Sequence, residues 1–210
     1  MSATVESKVW DLIDDKWIGF IPHSNIWLVS RTKLKSEIMS SLPGIEDIHI
    51  EKHLPNNLRL KLTVREPVFV WSSAGKYYYG DRTGMIFTEV MRTEITDVTL
   101  PFIHDTSNGT VTIQEHVLLA DAINYLDDIS LKLKDKFGFV ITMYTAPSSL
   151  APELEIHISE GWSIKLSPDD NQDQQIAILD KLLKEQIGSK RKSLLYVDLR
   201  TLELVTYKLK

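Results

Sequence analysis

The sequence predicts an α+β protein in two parts. The first is a small helix-and-strand domain over residues 1–66, and the second a larger, mainly antiparallel β domain with two helices over 67–210. Three observations predict it. Leu58, Leu60, Leu62 and Val64 alternate with Arg59, Lys61, Thr63 and Arg65, the period of two of a strand with one buried face. Two stretches carry apolar residues at helical spacing: Leu119, Ile123, Leu126, Ile129 and Leu133, then Ile176, Leu179, Leu182 and Leu183. Between the parts, Arg65-Glu66-Pro67 separates two apolar extended runs without a loop. Pro67 lacks a ladder donor and holds Glu66 extended, which suits a strand leaving one sheet and entering another.

Taken in order, Val5, Val9, Leu12 and Ile13 predict a first helix, followed by an irregular apolar connection, "WIGFIPHSNIWLVS". Ser30 is placed to cap a second helix bearing Leu34, Ile38 and Leu42, and Pro43-Gly44 stops it. Ile45, Ile48 and Ile50 open a strand, which the turn Leu54-Pro55-Asn56-Asn57 returns into the alternating one. Past Pro67, strands are expected at 68–71 and 76–80 around a four-residue loop, Ser72-Ser73-Ala74-Gly75. Asp81-Arg82-Thr83-Gly84 is a turn, with strands at 85–88 and 100–103 and a further turn at Asn108-Gly109. The longest helix is expected over 115–136 and ends at Gly138. A strand at 139–144 follows. Next, Leu154, Ile156 and Ile158 form a hairpin with Trp162, Ile164 and Leu166. Asp169-Asp170-Asn171 leads into the last helix, closed by Gly188, and strands built on Leu195, Val197, Leu199 and on 204–209 end the chain.

Composition narrows the function. The 210 residues are 43% apolar and 25% charged, an ordinary folded composition. The net charge is −5 and the cations are dispersed, which argues against nucleic acid as the main partner. The one tight basic run, Lys190-Arg191-Lys192, reads as a solvated loop. The absence of cysteine removes disulfides, thiolate metal sites and thiol nucleophiles. No stretch approaches the apolar length of a membrane span and no signal peptide opens the chain, so an anchor is expected only upstream of Met1.

No Gly-x-Ser-x-Gly, phosphate loop or dinucleotide fingerprint occurs. His49 and His53 lie four apart, but at the end of a strand where they need not share a face. His157 is expected to point to water, and Glu153 and Glu155 to lie on a solvated strand face rather than act as acid and base. Neither a cofactor nor a metal is expected.

The sequence resembles a known family at "SNIWLVS" and "LKSEIMSSLPGIEDIHIEKHLPNNLRLKLTVREP", which look like most of a POTRA domain, and then at "FVW", "KYYYGDRTGMIF", "LPFI" and "LLYVDLR". That ordered set is similar to the FtsQ/DivIB bacterial cell-division proteins. The resemblance implies a non-catalytic scaffold, a POTRA-like domain lacking its first strand, and a membrane anchor upstream with this portion extracytoplasmic. It implies capture of FtsB- and FtsL-like partners by strand addition at the C-terminal edge, with FtsK-like proteins as further partners. The contact residues it points to are Tyr196, Asp198, Arg200, Leu204, Val205, Thr206, Tyr207 and Lys208. In an extended segment Tyr196, Asp198 and Arg200 would share a face opposite Leu195, Val197 and Leu199. The alternative reading is a POTRA-type module in outer-membrane protein assembly or secretion.

Overall fold

The computed structural model describes residues 30–53, 57–97 and 99–210. The expected helix over 5–13, most of the connection after it and the turn at 54–56 lie outside the described residues. The protein is α+β and divides into two compact units, 1–66 and 67–210.

In the first unit, helix α1 (Arg31–Ser41) is capped by Ser30, whose Oγ accepts from the Lys33 amide at 3.4 Å. It buries Leu34 and Ile38 against Ile45, Ile48 and Ile50 of strand β1 (Ile45–His53). β1 pairs antiparallel with β2 (Asn57–Val64), Ile48 opposite Leu62 and Ile50 opposite Leu60. Ile45 and Ile48 are three apart, yet both are buried. A bulge between Ile45 and Asp47 resets the alternation so that both face the helix. Val64, predicted on the buried face, is 45% exposed, because it pairs at that irregular strand end. His49 and His53 do share a face. The strand continues through His53, so the Glu51 carboxylate sits between His49 Nε2 at 3.4 Å and His53 Nε2 at 3.2 Å. Among the described residues no group of three His, Asp or Glu side chains is arranged to hold a metal.

The second unit is one nine-stranded sheet. Its strands are β3 (Phe69–Ser73), β4 (Lys76–Gly80), β5 (Ile86–Val90), β6 (Phe102–Asp105), β7 (Ile141–Ala146), β8 (Leu154–Ile158), β9 (Ser163–Leu166), β10 (Leu194–Asp198) and β11 (Thr206–Leu209). Their order is β11-β10-β9-β8-β7-β6-β3-β4-β5. Three neighbouring pairs are parallel: β3 with β6, β6 with β7, and β9 with β10. Parallel neighbours need a crossover; β3 reaches β6 through β4 and β5, and a helix supplies each of the other two. Helix α2 (Ala120–Phe137) joins β6 to β7, and α3 (Gln172–Lys181), prolonged by a π-helical turn over Leu182–Ile187, precedes β10. Both crossovers step toward β11. The Tyr125–Gln175 hydrogen bond between them puts both helices on the same face, where they bury Ile103, Tyr144, Ile156, Ile164 and Val197.

Three local expectations are corrected. Ser72 and Ser73 are buried strand residues, so the β3–β4 connection shrinks to Ala74 and Gly75 at φ 50 and 75, a two-residue hairpin turn. Helix α2 starts at Ala120 rather than 115, because the preceding backbone is engaged elsewhere. Glu115 O accepts from Ile86 N at 2.9 Å, and Val117 N donates to Gly84 O at 2.9 Å. Arg191 is not simply solvated: its Nε donates to Glu160 at 2.7 Å and its guanidinium lies 4.9 Å from the Phe139 ring centre.

Candidate functional site at the C-terminal sheet edge

β11 forms one end of the sheet. It pairs antiparallel with β10 on one side and with no strand on the other among the described residues. The strand spans Thr206–Leu209, shorter than the expected 204–209. Leu204 belongs to the preceding turn, its amide donating to Thr201 O at 3.1 Å, and Val205 to the connection. The direction of the β11 backbone follows from one bond: Lys210 N donates to Ser193 O at 2.7 Å. Backbone groups alternate along a strand, so Thr206 and Lys208 also turn theirs toward β10, and those of Tyr207 and Leu209 turn outward. The opposite end of the sheet is protected differently. At its start, β5 is covered by the segment before α2, with Gln114 N donating to Ile86 O at 2.8 Å.

The side chains of the edge divide between two faces. Register places Tyr196 beside Ser163 and Lys208, and Asp198 beside Lys165 and Thr206, so these residues share the face opposite the helices. Tyr207 lies beside Val197 on the helix face, where Val205 and Leu209 also pack against the core. The expected contact residues thus form two sets: Tyr196, Asp198, Thr206 and Lys208 on one face, Val205 and Tyr207 on the other. Leu195 departs from the expected pattern. A bulge between Leu194 and Tyr196 buries Leu194 and leaves Leu195 41% exposed.

Arg200 lies beyond the strand and folds back over it. Its Nε and Nη2 meet Asp198 at 3.0 and 2.7 Å, and its Nη1 meets Glu153 at 2.7 Å. These bonds to Arg200 hold the Asp198 carboxyl below the usual carboxylate range. The same two carboxylates raise the Arg200 pKa further above its ordinary value. The Lys165 ammonium lies 4.5 Å from the Tyr196 ring centre, a cation–π contact.

Next to Tyr196 an open groove of about 550 Å³ runs toward β7, lined by Met143, His157, Trp162, Ser163 and Leu195 among others. Ser163 Oγ donates to Glu155, while His157 Nε2 lies 3.2 Å from Thr145 Oγ1. Serine and histidine are thus register partners on adjacent strands but use other hydrogen-bond partners. His157 is half-buried, not directed into water as expected, because Thr145 on β7 engages it. Glu153 and Glu155 are likewise held apart by different partners, Arg200 and Ser163.

Lys165 escaped the sequence reading, and Glu153 entered it only as part of a solvated strand face, not as the partner of Arg200. Lys165 shows only as the polar member between Ile164 and Leu166, and it reaches Tyr196 through a parallel pairing that local patterns do not encode. Glu153 meets Arg200 from 47 positions away. No protein-family model matches the chain, and no curated protein matches its sequence.

Proposed function

We propose that this chain is a non-catalytic scaffold of the FtsQ/DivIB type, acting in bacterial cell division. It captures small FtsB- and FtsL-like proteins by adding a strand of theirs to β11, has FtsK-like proteins as further partners, and has a membrane anchor upstream holding this portion outside the cytoplasm. The observation that supports the reading is the outward-turned backbone of Tyr207 and Leu209 at the end of the sheet. Main-chain bonds supply affinity there without any catalytic side chain. The side chains flanking the edge then set register, Tyr196, Asp198, Thr206 and Lys208 from one face and Val205 and Tyr207 from the other, with Arg200 and Leu204 at its start. No helix among the described residues is long and apolar enough to cross a membrane, so the anchor belongs to the proposal.

The test is a proline at the outward-turned position. Tyr207→Pro removes a donor the partner needs, while the bonds to β10 run through Thr206, Lys208 and Lys210. The variant should keep its urea midpoint and lose capture of FtsB- and FtsL-like segments in a pull-down. Undiminished capture by the folded variant would refute strand addition. Val205→Pro is less informative, since Val205 precedes the strand.

A further inference from the structure

The edge also constrains what can dock on it, an inference that rests on the strand-addition reading. Residues 206–210 contain two lysines and no acid, in a chain whose net charge is −5. Lys208 and Lys210 alternate with Tyr207 and Leu209, so both ammonium groups project on the face opposite the helices. None of the ion pairs among the described residues involves either lysine. The nearest acid by register, Asp198, is already bidentate to Arg200. The Nζ of Lys210 instead lies toward Gly161. On the helix face lie Val205 of the preceding connection and Tyr207 and Leu209 of the strand; Val205 and Leu209 are partly buried and Tyr207 is 39% exposed.

We infer that the edge selects a partner segment alternating acidic and apolar residues, its carboxylates opposite Lys208 and Lys210 and its apolar side chains continuing the row of Tyr207 and Leu209. The ladder geometry favours this arrangement. Tyr207 and Leu209 supply the main-chain bonds, so Lys208 and Lys210 fall in the non-hydrogen-bonded pairs, where facing side chains approach most closely. The same charges oppose a second copy of this chain. A two-fold antiparallel pairing of β11 with itself would bring lysines toward lysines.

The experiment uses the full chain and three terminally blocked peptides of equal length, alternating Glu-Val, Gln-Val and Lys-Val, with binding read by fluorescence anisotropy. The Glu-Val peptide should bind about fivefold tighter than Gln-Val at low salt, the worth of two modest cross-strand charge pairs. Lys-Val should bind weakest, and the preference should fade as salt is added. Joint replacement, Lys208→Glu with Lys210→Glu, should reverse the order, and Tyr207→Pro should abolish all binding. If all three peptides bind alike and Tyr207→Pro still abolishes binding, the charge inference is wrong and strand addition stands. Binding indifferent to Tyr207→Pro, or no binding at all, overturns both. A dimer of the full chain that Tyr207→Pro converts to monomer would show that a second copy occupies the edge, and would also overturn the proposal.

Discussion

Gly84 shows how tightly one residue can tie two elements together. Its φ is +84°, and a Cβ there would stand 1.9 Å from the Leu118 carbonyl oxygen. The Gly84 carbonyl meanwhile accepts from Val117 N, which fixes the lead-in to α2 over the turn before β5. Gly84→Ala meets both a disfavoured backbone and an occupied space. It should cost more than about 2 kcal/mol in urea unfolding of the full chain. Arg200 operates through charge instead. Arg200→Ala should cost no more than about 1 kcal/mol at neutral pH, since its side chain is 38% exposed and solvent screens the pair. The sign of the pH dependence follows from Asp198. A carboxyl depressed in the folded state stabilises above its ordinary value of 3.8, and that contribution disappears as pH falls through the depressed value. The stability gap between the parent and Arg200→Ala should therefore close on acidification below the ordinary carboxylate range, which unfolding curves at several pH values would reveal.

At the scale of elements, the two crossover helices are joined by a buried polar link. Tyr125 Oη donates to Gln175 Oε1 at 2.6 Å, and Gln175 Nε2 donates to Ser167 O at 3.0 Å. Gln175 is fully buried, and burial pushes the Tyr125 hydroxyl well above its usual pKa. Tyr125→Phe leaves the Gln175 carbonyl without this donor and should cost about 1–3 kcal/mol by thermal or urea unfolding. The elements themselves were largely legible in the sequence. Alternation marked β2, β8 and β9, helical stripes marked α2 and α3, and Ser30, Gly138 and Asn171 marked helix ends for reasons of local chemistry. Position 115 misled because an apolar stripe does not reveal that the backbone before Ala120 is already bonded to Gly84 and Ile86. The bulges before Asp47 and Tyr196 were equally invisible. Each inserts a residue whose effect on facing depends on a distant partner strand. The edge position of β11 was expected from the family resemblance alone, and the division of its side chains between two faces required the register.

At the scale of the whole molecule, the described parts of the two units differ in how much they bury. Among the described residues five apolar side chains form the first core and thirty the second. Among the described residues β1 and β2 pair only with each other, whereas β7, β8 and β9 are paired on both sides, so β1 and β2 should open at lower free energy. Native-state hydrogen exchange should show amides of β1 and β2 exchanging before those of β7, β8 and β9. Equal protection, or the reverse order, would contradict this. The candidate site belongs to the larger unit, whose central strands are paired on both sides.

The position of β11 has one more consequence. Were Thr206–Leu209 removed, the sheet would end at β10, which carries Leu194, Leu195, Tyr196 and Val197 in succession, Leu194 and Val197 on its core side. A margin that apolar and free of lysine invites indiscriminate self-stacking into insoluble material. The last strand thus doubles as a selvedge, a finished border that stops the fabric from fraying into its neighbours.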